Sequence, residues 1–132
     1  MIDIPEERIL KEITDILMND LPKVLLELEE QSEDSIRLPP FRYVGLEENL
    51  PPGTSLPYAF VEIEEGEYSE KDRIVKNRIY RLVITIKTAN NEFLWQYLFG
   101  IERVISGAQT TLKMKIMEKK RSGTIQLRIL LQ

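Results

Sequence analysis

The chain has 132 residues, 22 acidic and 18 basic side chains, a formal net charge of −4, and neither cysteine nor histidine. That length suits one domain able to bury its own core. The missing residue types exclude a disulfide framework, a thiolate nucleophile, a zinc–thiolate site and histidine acid–base chemistry. The acidic balance disfavours nonspecific nucleic-acid binding, which needs clustered Lys and Arg.

The opening MIDIPEERIL is acidic and lacks the pattern of a secretion signal. No apolar run nears the roughly 20 residues of a membrane span. A soluble, cytoplasmic protein with no membrane partner is expected. Apolar residues at Ile9, Leu10, Ile13, Ile16 and Leu17 recur at helical spacing. Pro5 suits a first helical turn, and Glu6 and Glu7 match the positive end of the helix dipole. The spacing predicts helix over 5–30 with a break near 22, where Pro22 interrupts the pattern and Asp20 offers a cap for the restart.

Residues 36–57 are rich in proline and read as a crossing, with FRYVGL inside it able to form a short strand. A hairpin is expected over 58–88. Ala59, Val61 and Ile63 share one face of its first strand, and Tyr80, Leu82, Ile84 and Ile86 share one face of its second. Between the strands runs EIEEGEYSEKDRIVKNRIYR, with its turn expected near Ser69 to Asp72. A helix follows over 91–106, with Asn90 or Asn91 as cap and Leu94, Tyr97, Leu98, Ile101, Val104 and Ile105 as its apolar stripe. A last hairpin covers 111–131, turning at KKRSGT. The expected fold is an α+β two-layer sandwich in the order α-β-β-α-β-β. Two helices lie on one face of a four-stranded antiparallel sheet, and a long β-hairpin projects from it.

No catalytic constellation emerges. The carboxylates Glu62, Glu64, Glu65, Glu67, Glu70 and Asp72 match no calcium-loop spacing, and alternation along a strand points them to opposite faces. A solvated, mixed-charge hairpin accounts for them. A glycosidase pair needs one buried acid, and no acid falls in an apolar stripe. No phosphate-binding glycine motif is present, and a serine nucleophile would lack a histidine base. Neither metal nor cofactor is expected, and an enzyme using carboxylates is the weakest class. Lys113, Lys115, Lys119, Lys120, Arg121 and Arg128 form the one basic concentration. It lacks interleaved aromatics for base stacking, so nucleic acid is disfavoured as a specific ligand. Tyr58, Phe60, Val83, Trp95 and Phe99 fall off the core phases. They form either an association surface or a second small core under the proline-rich segment.

The strand YRLVITIKT, a short polar turn and the helix NEFLWQYLFGIERVI, set between the charged hairpin and the last hairpin, give the chain a recognisable outline. It resembles the small tail-terminator and head–tail joining (tail completion) proteins of tailed phages and prophages. The resemblance implies a non-enzymatic structural protein of virion assembly. Such a protein would form a homo-oligomer, a hexameric ring, that meets tail-tube and connector proteins and ends in a virion or tail-like particle. A ring built head to tail needs two different complementary patches. Candidates are the mixed-charge hairpin (Glu64, Glu65, Glu67, Tyr68, Arg73, Lys76, Arg78), the basic Lys113, Lys115 and Lys119, and the apolar Trp95 and Phe99. The alternative function is a small cytoplasmic adaptor that binds a partner protein or nucleic acid.

Overall fold

The computed structural model describes residues 4–64, 78–89, 93–108, 110 and 112–131. Helix α1, Pro5–Asp15, starts on a proline whose missing N–H is not needed there, and buries Ile9 and Ile13. A π-helical turn, Ile16–Asp20, follows, and α2 then runs over Leu21–Gln31. The expected break near 22 is therefore a widened turn, and the chain stays helical from Pro5 to Gln31. Pro22 has no N–H to give, and its ring would press on the carbonyl one turn earlier. The Leu21 N–H reaches back to the Ile16 carbonyl, five residues away, which opens the helix where the ring must fit. Asp20 does not cap α2 through its side chain, because its own backbone is already helical at φ −92° and ψ −39°.

Among the described residues the sheet has five strands and is mixed, where four antiparallel strands were expected. The strands are β1 (Val44–Gly45), β2 (Tyr58–Glu64), β3 (Arg78–Lys87), β4 (Lys113–Lys120) and β5 (Thr124–Leu131), in the spatial order β1-β2-β3-β5-β4. The extra strand comes from the crossing. Val44 and Gly45 pair parallel with Ala59 and Phe60, and the Ala59 N–H donates to the Tyr43 carbonyl at 2.9 Å. The same crossing holds a 3-10 turn over Glu47–Asn49. All other strand pairs are antiparallel. Helix α3, Leu94–Gly107, joins β3 to β4. The expected turn near Ser69 to Asp72, the projecting end of the hairpin, and the proposed caps Asn90 and Asn91 lie outside the described residues.

Alternation decides which sheet face is covered. Ala59 and Val61 on β2, Tyr80, Leu82, Ile84 and Ile86 on β3, and Ile125, Leu127 and Ile129 on β5 are all buried. They join one cluster with Ile9, Ile13, Leu17, Leu21 and Leu25 of the first helical run and Leu98, Ile101 and Ile105 of α3. Each buried Val, Leu or Ile among them contributes roughly 1.5–3 kcal/mol by leaving water. Gly100 lets α2 and α3 close on each other, since a Cβ there would lie 3.1 Å from the Leu21 Cδ1. Tyr97 ties α3 to the crossing: its ring stacks on Phe41 at 5.3 Å, and its hydroxyl donates to the Pro39 carbonyl at 2.6 Å. The strand residues of the other phase face away from this helical layer.

Candidate interaction surfaces

The strand register arranges the outer sheet face in rows across β2, β3, β5 and β4. One row reads Phe60, Thr85, Thr124, Lys120, and the next reads Glu62, Val83, Gln126, Glu118. The third reads Glu64, Arg81, Arg128, Lys115, and all four side chains are exposed. Ile79, Leu130 and Lys113 form the fourth. Two shallow troughs lie on this face. One, of about 520 Å³, runs between Phe60, Val83 and Lys87 and the turn residues Leu46, Glu47 and Glu48. The other, of about 390 Å³, is lined by Ile79, Arg81, Val83, Met117, Gln126 and Arg128, among others.

A bulge divides the expected basic patch. The β4 register shifts between Ile116 and Glu118, so two residues of β4 oppose one step of β5. Before the bulge, Lys113 and Lys115 lie on the outer face while Met114 and Ile116 pack toward the core. After it, Glu118 takes the outer phase and approaches Lys120 at 3.9 Å. Lys119 is turned to the helical side, where its ammonium pairs with Glu102 of α3. Lys113, Lys115 and Lys119 therefore do not share one face, contrary to simple alternation.

Trp95 and Phe99 lie on the outer flank of α3, 45% and 52% exposed. The Arg121 guanidinium sits 5.5 Å from the Trp95 ring centroid, so this flank adjoins the β4–β5 turn. Tyr58, Phe60 and Val83 are instead half-buried on the outer sheet face, with the Tyr58 and Phe60 rings 5.3 Å apart. The two aromatic groups thus belong to different surfaces. Of the other expected interface residues, Glu64 ends β2, and the backbone of Arg78 opens β3. Glu65, Glu67, Tyr68, Arg73 and Lys76 lie outside the described residues.

The sheet ends in two open edges. β1 covers only Ala59 and Phe60 of β2, which leaves Val61 to Glu64 without an outer strand among the described residues. β4 has none along its length among them. The β2 edge carries Glu62 and Glu64 on the outer face, and the β4 edge carries Lys113 and Lys115 there. Sequence reasoning missed Arg81 as a surface residue of interest. Its polar phase was visible, but its neighbours are set only by the register.

Among the described residues, no three carboxylates come together as a metal ligand set, and no polar or charged residue is buried apart from tyrosines. Burial, then the nearby Glu29 carboxylate, push the Tyr97 hydroxyl well above its ordinary pKa, while burial and Glu48 raise Tyr43. Neither phenol is thereby primed to ionise near neutrality. No helix among the described residues is long and apolar enough to cross a membrane. Comparison of the chain with family models, with curated proteins and with solved structures gave no match.

Proposed function

We propose that the chain is a non-enzymatic assembly protein of a phage or prophage tail, of the tail-terminator or head–tail joining type, working as a homo-oligomeric ring. The observation that carries this is the pair of sheet edges. β2 and β4 run in opposite directions, because β2, β3, β5 and β4 alternate across the sheet. The β4 edge of one copy therefore meets the β2 edge of the next as an antiparallel pair. The edges also differ in sign: Glu62 and Glu64 of one copy come beside Lys113 and Lys115 of its neighbour. Two unlike, complementary patches on one subunit are what head-to-tail closure requires. The charges set register and partner choice more than affinity. Lysines and a bulge on β4 also guard against promiscuous strand pairing. Trp95 and Phe99, next to the β4 side, supply apolar area for the same contact or for the tail tube.

Light scattering after size exclusion, over a range of protein and salt concentrations, tests the ring. The expected mass is a whole multiple of the 15.5 kDa chain and falls as salt rises. Glu62→Lys with Glu64→Lys dissociates the assembly, and adding Lys113→Glu with Lys115→Glu restores it. A monomer at every concentration and salt refutes the ring. An assembly indifferent to the charge reversals refutes the edge pairing.

A further inference from the structure

We infer that the pocket between the crossing and the start of α3 is a docking site for an acidic segment of a partner protein, which inserts one apolar side chain there and sets a carboxylate beside Arg37. The cavity, of about 190 Å³, is lined by Arg37, Leu56, Pro57, Ala89, Phe93 and Tyr97, among others. It lies where the end of β3 meets the crossing, since Ala89 follows β3 and Leu56 and Pro57 precede β2. None of these residues takes part in the proposed ring contact, so the site stands whether or not the ring forms. Three observations carry it.

First, the size and the walls suit a single apolar side chain. Small-molecule pockets run to roughly 300–1,000 Å³, and this cavity is smaller. The Tyr97 hydroxyl already donates to the Pro39 carbonyl at 2.6 Å. A nucleobase, whose polar edge needs partners once it leaves water, is poorly served there, whereas an aliphatic side chain needs none. Leu56 is 38% exposed, which leaves apolar surface for a partner to cover. Second, the walls are pinned by contacts of their own. The Arg42 N–H donates to the Pro57 carbonyl at 2.9 Å, and the Tyr97 ring stacks on Phe41. Pro39 and Pro57 add the fixed φ of their rings. A pocket built in advance asks little ordering of the protein when a ligand enters.

Third, the charge at the pocket is positive and unpaired. Arg37 is the one charged residue lining the cavity among the described residues. It is exposed, and it makes no hydrogen bond or ion pair among them. A second guanidinium stands close by, because the Arg42 Nε–H donates to the Leu56 carbonyl at 3.3 Å. That bond anchors Arg42 beside a pocket wall without neutralising it. The Glu29 carboxylate accepts from the Leu38 N–H and does not line the cavity. Two guanidinium groups against this one bonded carboxylate favour an anionic partner. A free guanidinium grips a carboxylate through two parallel hydrogen bonds, and Arg37 offers that fork next to an apolar slot.

Fluorescence anisotropy of the intact protein tests the site, with a labelled peptide that carries one leucine between two glutamates in a glycine–serine background. This peptide is expected to bind, and its counterpart with serine for leucine to bind at least about tenfold more weakly. Arg37→Gln should weaken the glutamate peptide about tenfold and leave the peptide with glutamine for glutamate unchanged. Ala89→Trp, which fills the cavity from an exposed position, should abolish binding while circular dichroism shows the fold intact. If Ala89→Trp does not fold, Arg37→Gln decides alone. Arg128→Gln, an equal charge change on the outer sheet face, should leave binding unchanged. The site is overturned if the glutamate peptide does not bind, if serine for leucine costs nothing, or if Arg37→Gln costs no more than Arg128→Gln. Adenosine monophosphate that displaces the peptide, and that itself loses affinity in Arg37→Gln, would overturn it in favour of a nucleotide pocket.

Discussion

Replacing Gly123 with alanine tests the turn that fixes the β4–β5 register, and with it the alignment of Lys115 beside Arg128. Gly123 has φ +93°, a region that costs a residue with a Cβ roughly 1–2 kcal/mol. Its N–H donates to the Lys120 carbonyl at 3.0 Å, and its carbonyl accepts from the Ile86 N–H of β3 at 2.7 Å. An added Cβ would lie 2.9 Å from the Ile86 carbonyl oxygen and 3.3 Å from the Leu94 Cδ2. The first contact is with the backbone of a central strand, which cannot rotate away. The turn must move instead, and the hydrogen bond to Ile86 weakens, a loss of about 1 kcal/mol. The expected total is about 2–3 kcal/mol. Gly53 is the internal control. Its φ is +80°, yet a Cβ there meets nothing within 4 Å. Gly53→Ala should thus cost only the backbone term, about 1–2 kcal/mol. The entropy that alanine removes from the unfolded chain is common to both and cancels in the difference. Urea unfolding followed by circular dichroism gives the two midpoints, compared at equal slope. If Gly123→Ala is no more destabilising than Gly53→Ala, the contact with Ile86 does not constrain the turn.

Two further substitutions probe the tyrosines. Tyr97→Phe should cost about 1 kcal/mol at neutral pH by removing the hydrogen bond to Pro39. The folded-state pKa of Tyr97 lies above its unfolded value, through burial first and Glu29 second. Its contribution is therefore fully present below about pH 10 and is lost as pH rises beyond that. Urea midpoints of the wild type should fall above about pH 10 more steeply than those of Tyr97→Phe, and equal slopes would contradict the assignment. The Tyr80 hydroxyl is buried and has no hydrogen-bond partner among the described residues. Tyr80→Phe should then be neutral or stabilising, by up to about 1 kcal/mol. A clear loss of stability in the same assay would mean that the hydroxyl is satisfied.

Much of the molecule was legible in local pattern. The alternation of Tyr80, Leu82, Ile84 and Ile86 named the covered face of β3, and the stripe from Leu94 to Ile105 named the buried face of α3. Both follow from periodicities of two and about 3.6 residues that any short window reveals. Three features were not legible this way. β1 is two residues long, flanked by prolines, and exists only because Tyr58–Glu64 is there to pair with it. Pro22 read as a break because its missing N–H is a local fact, while the π turn that absorbs it is a property of the whole helical run. The bulge at Met117 reversed the side that Lys119 faces, since one extra residue exchanges the two phases of a strand.

The interaction surfaces divide in the same way. Their charges are set by the sequence: glutamates end β2, lysines fill β4, and Arg81 and Arg128 fall on polar phases. Which charges become neighbours is decided by the sheet order. β5 lies between β3 and β4, and this alone brings Arg81, Lys115 and Arg128 into one row. Phase along a strand is a short-range property of the chain. Adjacency between strands far apart in sequence comes from burying one shared core, and only the folded sheet supplies it.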